Sequence, residues 1–403
     1  MADSESYRPT RGPASSPPSS ASTSIIAGLG TTPEEEELYA AAGAGRPRVV
    51  GSSPASPKSG TGPPPSSSSG PAGSGSRVSA RESSSLGANA DFDFDADMSR
   101  YPASMTSSVR AHVYEGGLRY HAFRDGKYAF PNDETEQNRD DMKHTMSLML
   151  CRGSYFYSPV EQILRNGGEV LDLGTGTGIW AIEVGDRYPA AQITGIDLSP
   201  IQPNFVPENV HFFVDDFEEE WVDPENKYDF IHVRFTVYSI RDRKLFLQRA
   251  LRHLKPGGYI EIQELHFFPH CDDQSMTPQT PYAFRDYMNY MEDGIRALGS
   301  DLHAILLMSD ELKQVGFEDV TTTTHKCPIG LWPRDKRLRL CGLFLRTAIM
   351  DGLRGLSRRP LTNLGWTQLQ IEMFLVDVRK AVMDAKFHTY FPFHVLYGRK
   401  PLS

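Results

Sequence analysis

The sequence predicts an α/β protein built on a doubly wound, mostly parallel sheet. Three observations carry this. From Val170 onward short apolar runs alternate with helical periods, the first run enters the glycine turn Gly174-Thr175-Gly176-Thr177-Gly178, and acidic residues close the next two runs at Asp197 and Asp215-Asp216. In open α/β sheets that edge is where ligands sit.

The 403 residues exceed one ordinary domain, yet the stretch from Met1 to about Arg110 is dominated by serine, proline and glycine and is too poor in large apolar residues to build a core. Residues 1–110 are therefore expected to be a disordered tail, with 111–403 as one catalytic-sized domain. Within the tail, Thr32-Pro33-Glu34-Glu35 reads as a capped helix start, and Asp91-Phe92-Asp93-Phe94-Asp95 as an acidic-aromatic run; both suit a partner-binding segment or a solvated tail. The net charge of -9 argues against direct nucleic-acid binding. The 4 cysteines lack paired spacing, so no metal site or disulfide framework is expected. No run approaches the roughly 18 apolar residues of a membrane span, and the N-terminus lacks a secretory core, so the cytoplasm, with the nucleus as an option, is the expected location.

Order is expected from about Val113. Asp125-Gly126 marks a turn, and Pro131-Asn132-Asp133 introduces a helix through Leu150, with Asp133 and Glu136 spaced as a capping box and Met142, Met146, Met149 and Leu150 forming an apolar stripe. Residues 111–168 thus form an N-terminal helical segment that can lie across the cleft. The core, 169–270, reads as strands at 170–173, 192–196, 210–214, 228–233 and 259–263, with helices at 178–187 and 244–254. Lys255-Pro256-Gly257-Gly258 reads as a helix stop. Beyond it, helices at 281–298 and 301–315, a strand at 318–323, a helical stretch at 335–386 and a last strand at 391–397 make 271–390 a substrate cap and insertion.

The glycines suit close backbone approach to a ligand, and Asp197 at the end of the second strand suits ribose hydroxyls. Asp216 and Phe217 offer a carboxylate for an exocyclic amine and a ring edge for a purine. A dinucleotide fingerprint needs a final glycine where this chain has Ile179, and a P-loop lysine is absent. Asp172, just before the loop, would repel a pyrophosphate and welcome an amino group. S-adenosylmethionine fits that pattern, and a NAD-dependent oxidoreductase is the weaker reading.

These segments, together with Arg119-Tyr120-His121, Asp197-Leu198-Ser199-Pro200-Ile201-Gln202-Pro203, Tyr228-Asp229-Phe230-Ile231-His232-Val233-Arg234 and Pro328-Ile329-Gly330-Leu331-Trp332-Pro333, resemble the class I S-adenosylmethionine-dependent methyltransferases, and among them the fungal LaeA-like group. The resemblance covers about 114 to 401. It implies a seven-stranded Rossmann-like sheet with an antiparallel last strand. It also implies Asp172, Gly174, Thr175, Gly176 and Gly178 at the methionine end, Asp197 at the ribose, Asp216 and Phe217 at the adenine, and Arg234 at the rim beside the sulfonium.

Methyl transfer is an in-line displacement, so a base matters only where the acceptor must lose a proton. His232, Glu264 and His266 are the candidate catalytic residues, with Tyr238, His270, Tyr120 and His144 behind them; a packed strand histidine competes with the catalytic reading of His232. Arg334, Lys336, Arg337 and Arg339 read as a solvated helix face or a site for an acidic ligand. The expected role is methylation of a small molecule in secondary metabolism. The alternative is a LaeA-like nuclear regulator with velvet-type partners, reached through the tail. The chain's own continuations, Ile179-Trp180 after the loop and Phe235-Thr236-Val237 after the fourth strand, favour the first.

Overall fold

The computed structural model describes residues 111–403, so the expectations for the tail, for Thr32 to Tyr39 and for Asp91 to Asp95 lie outside the described residues. The described chain opens with a hairpin that the sequence reading does not contain: β1 (His112–Glu115) pairs antiparallel with β2 (Leu118–His121). Gly116 and Gly117 turn it with φ of 58° and 80°, the left-handed backbone that a tight hairpin turn requires. The Asp125-Gly126 turn belongs to the loop beyond.

Helix α1 (Glu134–Leu150) starts where expected. The Asp133 carboxylate accepts from the backbone N–H groups of Thr135 and Glu136, both at 3.1 Å. The reciprocal half of the capping box does not form, because Glu136 turns to Arg139 at 2.9 Å. Met142, Met146 and Leu150 are buried core. The short α2 (Glu161–Arg165) then feeds the sheet.

The alternation follows as β3 (Glu169–Leu173), α3 (Ile179–Arg187), β4 (Gln192–Asp197), β5 (Val210–Val214), β6 (Tyr228–Arg234), α4 (Arg243–His253) and β7 (Leu254–Leu265). After it come α5 (Ala283–Ala297), α6 (Ala304–Val315), β8 (Glu318–Pro328), α7 (Lys336–Asn363), α8 (Gln368–Met383) and β9 (Tyr390–Arg399). The seven strands lie in the order β5-β4-β3-β6-β7-β9-β8. All pairings among the first five are parallel, whereas β9 runs antiparallel to both neighbours. The winding reverses between β3 and β6, and a crevice opens there at the carboxyl ends of the strands.

One expectation needs correcting. Helix α4 is not closed by a left-handed glycine; Leu254 closes it in extended backbone, φ -67° and ψ 142°. Lys255 to Gly258 lie inside β7, where pairing with β6 jumps from Tyr228↔Leu254 to Phe230↔Tyr259. Gly257, φ 80°, therefore serves a bulge, which lets one strand carry extra residues against its neighbour.

The helical stretch between β8 and β9 is two helices, parted after Leu364 and restarted by Thr367, whose side chain and that of Gln370 complete a capping box. Helix α7 packs on α1, α5 and α8. Arg139 of α1 donates to the Ala348 carbonyl of α7 at 2.9 Å, and Arg359 of α7 pairs with Glu115 of β1 at 3.1 Å and with Asp125 in the loop after β2 at 3.0 Å. Near its start α7 meets the loop after β8 so closely that a Cβ on Gly342 would overlap the Gly330 carbonyl. Gly342→Ala should therefore cost about 1–3 kcal/mol by overpacking, read as a lower urea midpoint at unchanged slope.

Candidate functional site

The crevice is built outward from Asp172, near the end of β3. Its carboxylate is 3% exposed and both oxygens are engaged, one by the Thr175 hydroxyl at 2.6 Å and one by His232 Nδ1 at 2.7 Å. Asp172 and His232 are register partners on adjacent strands, so their side chains share one face of the sheet. Trp180, from the first turn of α3, stacks flat on the imidazole at 3.7 Å and 6°. Burial pulls the pKa of His232 down, which keeps the ring neutral. With its proton on Nδ1 facing a carboxylate, Nε2 is a lone-pair acceptor, and it is buried without a partner in the wall of the crevice.

The glycine turn has a division of labour that its pattern does not reveal. Gly174, Gly176 and Gly178 all have positive φ, 72°, 59° and 79°. A Cβ on Gly174 would overlap Thr236, and one on Gly178 would overlap Phe212, so these two admit the protein's own side chains. Gly176 is the one that faces open space toward the crevice, where the nearest neighbour of such a Cβ is Asp140 at 3.5 Å. Its N–H donates to Asp197 at 2.8 Å and its carbonyl accepts from Gln202 at 2.6 Å, which gives the Ile201-Gln202-Pro203 segment a physical reason.

Asp197 also accepts from the Ser199 N–H at 2.9 Å, and burial pushes its carboxyl up to about 7. Asp216 pairs with Lys127, and Phe217 packs edge-on against Phe246 at 5.8 Å; both line the crevice. Arg234 donates to His144 Nδ1 at 2.8 Å, and His144 Nε2 meets Glu183 at 2.8 Å. Every residue expected around the cofactor thus lines this one crevice, apart from Gly178, which stands behind it as the cap of α3.

Several lining groups have no counterpart among the sequence candidates. His121, whose Nδ1 meets the Phe123 carbonyl at 2.6 Å, presents a second buried imidazole nitrogen without a partner. Lys127 and Asn132 come from the same N-terminal segment, and Asp140 and Lys143 from α1, which does lie across the crevice. The helical period of α1 carried the signal, since Glu136, Asp140 and Lys143 recur on one face.

A second, apolar cavity lies beneath α5 and α7 and meets the crevice at Tyr128, Glu136 and Lys143, which line both. The hydroxyls of Tyr128 and Tyr238 are 2.7 Å apart at that junction.

The three catalytic candidates are not brought together. Only His232 reaches the crevice. Glu264 and His266 line neither cavity, because strand alternation turns Leu265 and Phe267 toward the apolar cavity and their neighbours away. Glu264 instead accepts from the Val237 and Leu265 N–H groups at 3.0 and 3.1 Å, and burial pushes it up to about 8. His266 stands between His270 and His303, at 3.2 and 2.9 Å, with burial pulling it down to about 3. Tyr120 is buried under the Arg359 guanidinium at 3.8 Å. In the basic cluster, Arg337 donates to the Met149 carbonyl at 2.8 Å, a packing role at the end of α1.

Comparison with known proteins adds two findings. A family model described as a methyltransferase domain matches residues 142–304. The chain is also 36% identical over 320 residues to the methyltransferase pytC of Aspergillus terreus, which spans 77% of this chain and 96% of that protein. The chain belongs to this methyltransferase family. It is likewise similar to the secondary metabolism regulator LAE1 of Cochliobolus heterostrophus, at 32% over 295 residues, 72% of this chain and 95% of that one. To the protein-methionine methyltransferase laeA of Emericella nidulans it is 31% identical over 321 residues, 78% of this chain and 84% of that one.

As a LaeA-like methyltransferase it takes S-adenosylmethionine as its cofactor. The crevice fits that molecule chemically. The cofactor's ammonium, ribose hydroxyls and adenine amine are donors, and the walls present acceptors in Asp197, Asp216, His232 Nε2 and His121. No helix among the described residues is long and apolar enough to cross a membrane.

His232→Phe should keep the stack on Trp180 while leaving the Asp172 carboxylate short of a partner. A stability loss of at least about 1–3 kcal/mol in urea unfolding is expected, with much of it recovered in the Asp172→Asn, His232→Phe double variant.

Proposed function

We propose that this methyltransferase acts on a small molecule of secondary metabolism, with the crevice at the ends of β3 to β6 holding the cofactor and the segment 271–390 capping the acceptor. The observation that carries this reading is the second cavity. It is lined by buried apolar side chains such as Phe284, Met291, Leu345 and Phe391, surroundings that suit a small apolar molecule, and it shares Tyr128, Glu136 and Lys143 with the crevice. When bound, the cofactor supplies an electrophilic methyl group on a sulfonium.

In this reading Asp172 acts through the groups it orients. It fixes Thr175 and turns His232 Nε2 toward the methionine end, beside the backbone of Gly174 and Gly176, with Gly178 setting the start of α3. Asp197 takes the ribose, Asp216 and Phe217 the adenine edge, and Arg234, tied to His144, the rim. His232 is then a hydrogen-bond acceptor for the cofactor and not a base for the acceptor, while Glu264 and His266 hold backbone and loop. Water exclusion falls to α1 and the N-terminal loop, joined to the cleft wall by Lys127 to Asp216 and Asn132 to Ser199. Such an enzyme is placed in the cytoplasm.

The name of the LAE1 relative, a secondary metabolism regulator, favours a second reading as a regulator, for which the LaeA-like resemblance suggests the nucleus and velvet-type partners engaged through residues 1–110. Deletion of that tail should then abolish partner pull-down, and an unchanged pull-down rejects it.

Cofactor binding supplies the decisive measurement. A carboxyl near 7 accepts ribose hydroxyls fully only when ionised, so Asp197 binds best above pH 7. As pH falls below that value, S-adenosylmethionine affinity measured by calorimetry should drop by up to about tenfold per unit, with proton release on binding near pH 6.5. Asp197→Asn should flatten the profile and Asp197→Ala should weaken binding by at least about tenfold. No binding by the wild-type chain rejects the proposal.

A further inference from the structure

The chemistry of the second cavity defines the acceptor more closely than its position does. Its volume is about 90 Å³, several times the roughly 10–15 Å³ that one water occupies, and its walls are mostly apolar. Its apolar part holds water poorly and favours an apolar occupant. Phe130, Phe267, Phe284, Tyr287 and Phe391 supply ring faces and edges, the surroundings in which another aromatic ring packs in offset or edge-on contact. Met288 and Met291, unbranched and polarisable, adapt to the outline of whatever ring enters.

Most polar groups sit at or beside the junction with the crevice; Tyr287, away from it, accepts from the Ser357 hydroxyl at 3.2 Å. Tyr128 and Tyr238 satisfy each other there, and Glu136 and Arg139 form a buried pair at 2.9 Å whose charges cancel. Lys143 remains. Its own partner, Asp140 at 2.7 Å, lies on the crevice side and takes one of the ammonium's three N–H donors, and Glu264, pushed by burial up to about 8, is another acid that feels it; Lys143 is thus the cationic donor at the mouth of the apolar cavity. A cation at the edge of a low-dielectric space favours an oxygen that ionises and opposes a protonated amine.

We propose that the second cavity binds an aromatic acceptor bearing an acidic hydroxyl, a phenol or ring enol, with the ring among Phe284, Met291 and Phe391 and the oxygen turned toward Lys143. This rests on the methyltransferase reading above for the word acceptor, but the cavity's preference stands on its own geometry. Glu136 and the tyrosine pair complete the polar collar, and the helices of the insertion set how large a ring system fits.

The test uses the full chain with S-adenosylhomocysteine, the unreactive product, and 2-naphthol and 2-naphthylamine as probes. 2-Naphthol should bind, its absorbance should show ionisation at a pH at least about one unit below that of the free compound, and the amine should bind at least about tenfold more weakly. Ala348→Phe, which fills the cavity, should remove naphthol binding while S-adenosylhomocysteine affinity stays within about twofold. Met291→Ala only removes volume and serves if the larger residue prevents folding; it should weaken 2-naphthol by at least about threefold. Lys143→Gln should abolish the ionisation shift while ring binding persists. Failure of 2-naphthol to bind, equal binding of the amine, or insensitivity to the folded cavity variants overturns the proposal. Should S-adenosylhomocysteine itself fail to bind, the methyltransferase reading falls separately, and the naphthol titration without it still decides the cavity.

Discussion

The fully engaged carboxylate of Asp172 is the constraint on which the rest of the site depends. A buried carboxylate is tolerable only when its oxygens are satisfied, and here one is tied to the loop through Thr175 and the other to the adjacent strand through His232. Those two bonds make strand, glycine turn and neighbouring strand a single unit. They also set which imidazole nitrogen faces the crevice, so one buried acidic residue of the wall decides the hydrogen-bonding character of its neighbour. Trp180 locks the result by covering the ring, which explains a tryptophan at the head of α3 better than generic packing does.

Around that unit the molecule is assembled from both sides. The hairpin and α1 come from before the sheet, α7 and α8 from between its last two strands, and they meet through Arg139, Arg359 and the tight contact of Gly352 with Arg139. The crevice and the apolar cavity share a wall made by α1. A residue such as Lys143 is therefore answerable to two ligand environments at once, and a change there is felt on both sides.

Much of this was legible in the sequence because it depended on local period and on backbone chemistry. The strands of the core, the glycine turn, the capping Asp133 and the acidic ends at Asp197 and Asp216 all announce themselves within a few residues. The bulge in β7 and the β1–β2 hairpin were harder for different reasons. Lys255 to Gly258 has the same composition whether it stops a helix or kinks a strand, and only pairing with β6 decides. Gly116-Gly117 carried a hairpin signal, but strands of 4 residues offer too little alternation to support it. Glu264 and His266 were drawn from proximity to a strand end, whereas the face on which a side chain emerges depends on register. The apolar cavity was beyond sequence altogether, since Phe130, Phe284, Leu345 and Phe391 meet only through tertiary packing.

The placement of β9 has a consequence for how the protein is made. This strand, Tyr390–Arg399, lies between β7 and β8, and among the described residues β8 has no other partner in the sheet. While the chain is emerging from the ribosome, β7 keeps an open edge and β8 stays without a neighbour until β9 has been synthesised. Parallel strands and long-range closure already slow folding, and exposed edges invite pairing with other chains. The nascent protein is thus most vulnerable to aggregation in the interval before its last strand arrives, and a chaperone that shields β7 and β8 during that interval would govern its yield.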